Sequence, residues 1–155
     1  MERRKFITGG IVAGIIYFIL GWIAYALYVN GIINSLEGIT IYAVRHPAEF
    51  WPLLIGKMFG GFLLAYILMQ KEYHTPATGF KTGAIVGFLL SASENFVIWS
   101  TTFVYSRRFF VADIVVYTII SSIAGMAIVM VAGLSNMTID SYMRKLKPGE
   151  EDKDD

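Results

Sequence analysis

Residues 80–104 read FKTGAIVGFLLSASENFVIWSTTFV, and this stretch decides the fold. The run is apolar and long enough to cross a hydrocarbon core of about 30 Å, which takes roughly 20 residues at 1.5 Å each. Together with Gly79 it places small residues at every fourth position, Gly79, Gly83, Gly87 and Ser91, and then presents Glu94 and Asn95. A face of bare glycines lets a neighbouring helix approach backbone to backbone. A carboxyl in the middle of such a segment is unfavourable unless protein or water meets it. The helix is therefore expected to sit at the centre of a membrane bundle.

Composition extends this reading to the whole chain. Of 155 residues, 55% are hydrophobic and 16% charged, too little polar surface for a soluble domain. Residues 6–28, 51–69, 80–104 and 109–134 each have the length and apolarity of a span, so an all-α bundle of four transmembrane helices over residues 1–147 is expected. The charged residues after Pro148-Gly149 predict a disordered tail over 148–155. With no cysteine there is no disulfide, thiolate metal site or cysteine nucleophile. A net charge of +1 offers no concentrated basic surface for a nucleic acid.

The first span follows a basic start at Arg3-Arg4-Lys5, which is also how a signal peptide opens, with Ala24 and Ala26 in the place of a cleavage site. Its apolar run is much longer than a signal core and is rich in Tyr17, Trp22 and Tyr25, so it reads as a retained span. Gly10 and Gly14 give it a Gly-x-x-x-Gly face, echoed by Gly83 and Gly87 of the third span. The echo suggests two parallel two-helix units related about an axis along the membrane normal. In the second span, Gly56 and Gly60 form another such face around Lys57. The fourth span brings Asp113 near its start and then Ser121, Ser122 and Gly125. Residues 30–50, the longest connection, alternate polar with apolar residues and suit a short helix lying in the interface.

Basic residues set the expected orientation. Arg3, Arg4, Lys5, Lys71, Lys81, Arg144, Lys145, Lys147 and Lys153 fall on one side, against Arg45, Arg107 and Arg108 on the other, which places both termini in the cytoplasm. Arg144, Lys145 and Lys147, just inside the membrane, would attract anionic lipid.

Lys57, Glu94 and Asp113 are the ionisable residues inside apolar spans. From the outer ends of their helices they lie about 9, 15 and 6 Å deep respectively. Side chains lean toward the start of their own helix, so Lys57 and Asp113 tilt outward together and Glu94 tilts away. That favours Lys57 with Asp113 as the pair. Glu94, left without a cation, would be neutral and would donate to Tyr17, Ser91, Asn95, Ser121 or Ser122. His46 and His74 fall on opposite sides of the bilayer, so no two-histidine metal site and no cofactor are expected.

The Gly83–Gly87 pair, Glu94-Asn95, Trp99 and Asp113 resemble the last two helices of small bacterial four-span membrane families of unknown function, and the first span is similar more loosely. The long outer connection and Lys57 depart from that pattern. The resemblance implies a bacterial inner-membrane protein and lends no activity. The tryptophan-rich sensory proteins of the translocator family, with five spans and far more tryptophan, do not fit. No nucleophile with a base, metal spacing or phosphate loop appears, so no enzyme is expected. The first functional expectation is a packing or accessory subunit whose glycine faces serve self-association or a larger membrane complex. The alternative is a small transporter or channel protomer with Lys57, Glu94 and Asp113 in a polar pocket open to the outer side.

Overall fold

The computed structural model describes residues 3–33, 49–70, 75–101 and 107–146, and side chains within 3–27, 49–70, 75–101 and 109–131. The interface helix expected in residues 30–50, His46, His74, the basic cluster side chains and the tail lie outside the described residues or side chains. Four helices follow one another: α1 (Arg3–Ile33), α2 (Phe50–Met69), α3 (Pro76–Thr101) and α4 (Arg107–Leu146). Each contains a stretch long and apolar enough to cross a membrane: Arg3–Leu27, Phe50–Met69, Pro76–Thr101 and Phe109–Val131. Large apolar side chains line the outside of the bundle, with Trp51 70% and Phe59 72% exposed. Such a surface is stable against lipid and not against water. Among the described residues the chain is all-helical with four spans, an integral membrane protein.

The helices pair as two antiparallel hairpins, α1 with α2 and α3 with α4, joined along an α1–α4 seam. In spatial order the helices run α2, α1, α4, α3. This corrects the expectation that residues 80–104 sit centrally: α3 packs almost entirely on α4, and the middle positions belong to α1 and α4. The seam also breaks the expected two-unit symmetry. An axis relating the hairpins would match the α1–α4 contact with an equal α2–α3 contact, and those two helices barely touch.

Glycines set the two hairpin crossings. On α3, Gly79, Gly83, Gly87, Ser91 and Asn95 form one buried stripe. A Cβ on Gly79 would lie 2.5 Å from the Gly125 carbonyl oxygen, and one on Gly83 would strike the carbonyl of Ser121. In the first hairpin a Cβ on Gly61 would come within 2.7 Å of the Gly10 carbonyl oxygen and strike the amide of Gly14. Gly56, expected on that face, has nothing within 4 Å of a Cβ built on it, and Gly60 has only ordinary contacts, the nearest at 3.7 Å. The register is therefore one residue later than the Gly56–Gly60 pattern. A single residue turns a helix by about 100°, which is enough to move the contact from one face to another. Ala13 and Tyr17 of α1, Leu64, Ala65 and Leu68 of α2 and Ile120, Ala124 and Ile128 of α4 fill the core between the hairpins.

This packing orders the glycines by tolerance. Gly83→Leu and Gly61→Leu should each lower stability in detergent by more than about 3 kcal/mol, beyond the usual range for overpacking, because backbone and not a movable side chain blocks the space. Gly56→Leu should shift it by less than about 0.5 kcal/mol. Thermal unfolding of the three variants measures this. Equal sensitivity at Gly56 and Gly61 would overturn the register.

Candidate functional site: a charged cavity between three spans

One face of α4 carries Asp113, Tyr117, Ser121 and Gly125 at intervals of four, so these side chains lie one above another. Facing them, α1 contributes Tyr17, which is 2% exposed and donates its hydroxyl hydrogen to Ser121 Oγ at 2.9 Å. The Tyr17 and Tyr117 rings stack with centroids 5.5 Å apart and planes 15° from parallel. Lys57 of α2 lies over the other part of this aromatic pair, its Nζ 5.3 Å from the centre of the Tyr117 ring. Gly21 faces the lysine arm: a Cβ there would sit 3.4 Å from Lys57 Cε, at van der Waals contact. A cation over an aromatic face is stabilised by about 0.5–2 kcal/mol, more as water is excluded.

These groups border a cavity of about 190 Å³ between α1, α2 and α4, near the end where α1 finishes and α2 and α4 begin. Lys57 and Asp113 both line it, together with Tyr17, Tyr25, Tyr117 and Phe109 and an aliphatic wall that includes Leu53 and Val116. The two charges act on each other through space, with no hydrogen bond between them. Asp113 is held from the other side, where Asn95 Nδ2 donates to Asp113 Oδ2 at 2.7 Å and also to Ser91 Oγ at 3.2 Å and the Ser91 carbonyl at 2.9 Å. The carboxylate is thereby fixed in orientation while it still faces the cavity.

Glu94 is not part of the cavity lining. It is exposed on α3. Its charge nevertheless reaches the cavity wall, acting on Lys57 after that of Asp113 and on Tyr117 ahead of it. The polar side chains expected to receive its proton bond elsewhere: Tyr17 to Ser121, Asn95 to Asp113 and Ser91, and Ser122 back to the Thr118 carbonyl at 2.8 Å. The reason is angular. Asn95 continues the stripe of every fourth residue that meets α4, and Glu94, one position earlier, is rotated about 100° away from it. Among the described residues no group of three metal-binding side chains comes together.

Three contributors do not stand out in the sequence as site residues. Tyr117 and Gly21 were within reach of pattern reading, since Tyr117 is four residues from both Asp113 and Ser121 and Gly21 is four from Tyr17. Tyr25 reads only as an interfacial aromatic. Its place in the cavity wall depends on the angle at which α1 meets α4.

The relative weight of the two acids can be measured. Lys57→Met combined with Asp113→Asn should show a coupling of about 1 kcal/mol in a double-mutant cycle, and Lys57→Met with Glu94→Gln clearly less. Unfolding of detergent-solubilised protein gives both values. A larger coupling to Glu94 would show that the lysine answers to α3 and not to the cavity.

No protein-family model, curated protein or solved structure matches this chain.

Proposed function

We propose that the protein is a non-enzymatic binding or transport protomer of the bacterial inner membrane, which admits a small polar solute into the cavity between α1, α2 and α4 from the outer side. The observation that carries this reading is that Lys57 and Asp113, opposite charges inside apolar spans, face one cavity of about 190 Å³. Ionisable groups at such depth are costly to keep, and they characteristically mark a solute or ion path. An accessory role built on glycine faces draws less support, because the Gly79–Gly83–Gly87 and Gly10–Gly14 faces are covered within the chain by α4 and α2. The resemblance to bacterial four-span families supports the inner membrane, and the distribution of Lys and Arg supports cytoplasmic termini. Arg144, Lys145 and Lys147 then meet anionic lipid of the inner leaflet.

The natural absence of cysteine makes this testable by single-site labelling. Leu53→Cys and Val116→Cys place a thiol on the cavity wall, whereas Phe59→Cys and Val115→Cys place one on the outer surface of the same helices. Only a hydrated thiol ionises and reacts. A membrane-impermeant methanethiosulfonate applied to the periplasmic face should modify the first pair at least about tenfold faster than the second. Reaction only from the cytoplasmic face would reverse the topology, and no reaction from either face would remove the pocket.

Self-association is a second reading, favoured by Glu94. Its exposure on α3, inside a span, leaves a carboxyl for another protein surface to cover. Ser93→Cys, also exposed on α3, can form a disulfide only with a second copy. Oxidation in native membranes should yield a covalent dimer, while Phe59→Cys on α2 should not. A monomer in both cases would leave α3 facing lipid.

A further inference from the structure

The cavity presents one cation and one anion to the same space, and neither neutralises the other by direct contact. We propose that its ligand is a small zwitterion, with an acidic group against Lys57 and an ammonium against Asp113, an inference that rests on the cavity being a binding site.

The charge balance is the first argument. A pocket for a simple anion would carry an excess of positive groups, and one for a simple cation an excess of negative groups; burying either alone here would leave an opposing charge beside it. A zwitterion satisfies both at once. The fixed geometry is the second. Asn95 holds Asp113 Oδ2 at 2.7 Å from the α3 side, and the Tyr117 ring lies under the head of Lys57. Two charges held on separate helices without closing on each other form a template in which a ligand's own charges must be similarly separated. Preorganisation of this kind lowers the cost of binding.

The walls define the rest of the ligand. Tyr17, Tyr25 and Tyr117 make part of the wall aromatic. Leu53 and Val116 give an apolar surface for a short hydrocarbon part. A volume of about 190 Å³ is somewhat larger than the ~150 Å³ cavity that accepts benzene, which leaves room for about ten non-hydrogen atoms. A small amino acid meets these demands, and so does the phosphoethanolamine headgroup of a zwitterionic lipid. Both contain an ammonium and an acidic group a few bonds apart.

A matched set of probes isolates the charge requirement. Leucine carries both charges; 4-methylpentanoate lacks the ammonium, and 3-methylbutylamine lacks the carboxylate. Leucine near saturation should raise the melting temperature of the detergent-solubilised wild-type protein by about 5 °C, with little shift from either fragment. Lys57→Met should lose the leucine response and turn the preference toward the amine, and Asp113→Asn should turn it toward the carboxylate. The opposite preferences of the two variants cannot arise from a general loss of stability. The lipid arm compares nanodiscs of phosphatidylethanolamine with nanodiscs of phosphatidylglycerol, both carrying Leu53→Cys protein. Slower labelling in phosphatidylethanolamine alone, abolished by Lys57→Met, with no leucine response, assigns the site to a headgroup. Equal responses to leucine and either fragment, with no lipid effect, would overturn the zwitterion while rapid labelling of Leu53→Cys kept the pocket. Failure of that labelling as well would remove both.

Discussion

Backbone contact between glycines holds this molecule together. Lipid tails are as apolar as leucine, so helices in a membrane gain little by hiding side chains from solvent and must gain by packing closely. Gly61 against Gly10 and Gly14, and Gly79 and Gly83 against Gly125 and Ser121, bring two pairs of helices close enough that no side chain fits between them. Each hairpin is then a rigid unit, and the larger residues Tyr17, Leu64, Ile120 and Ile128 fill the space between units. The cavity exists because the two kinds of packing meet. Close crossings fix the helices at one level, and the bulky aromatic side chains along the α1–α4 seam hold them apart at another.

The polar residues follow from the same frame. Ser121 serves both kinds of packing, since its backbone meets Gly83 and its hydroxyl accepts from Tyr17. Tyr17 in turn stacks on Tyr117, and Tyr117 carries Lys57. A continuous path of contacts thus leads from the α3–α4 crossing to the charge at the cavity wall. Among the described residues no buried side-chain nitrogen or oxygen lacks a hydrogen-bond partner. In a medium with no water to compensate, that completeness is required for the polar groups to be kept at all.

The contrast between Asp113 and Glu94 shows how placement divides two chemically similar acids. Asp113 faces inward, is oriented by Asn95 and shares the cavity with Lys57. Glu94 lies beside Asn95 in sequence yet is exposed and off the cavity lining, and its charge reaches Lys57 and Tyr117 only through space. A charge at the cavity wall acts on what enters the protein, whereas one on the outer surface acts on what docks beside it.

The sequence by itself determined the class of the protein. Hydrophobic runs longer than about 20 residues have one stable solution in lipid, a helix that satisfies its own backbone, so the four spans and the all-helical fold were legible from apolarity alone. The α3 stripe was legible as far as Ser91, because an unbroken spacing of four at Gly79, Gly83, Gly87 and Ser91 marks one face; its continuation to Asn95 and not Glu94 came from the packing on α4. Which glycine of α2 makes contact was not, since Gly56, Gly60 and Gly61 offer competing registers and only the surface of α1 selects between them. Nor was the spatial order. Depth can be counted along a chain, but the direction in which a side chain turns at that depth is set by the rotation of its helix against its neighbours. That rotation placed Lys57 and Asp113 around one cavity and left Glu94 off its lining, and it is fixed by contacts between helices, such as Tyr17 with Ser121 and Asn95 with Asp113, that no local pattern encodes.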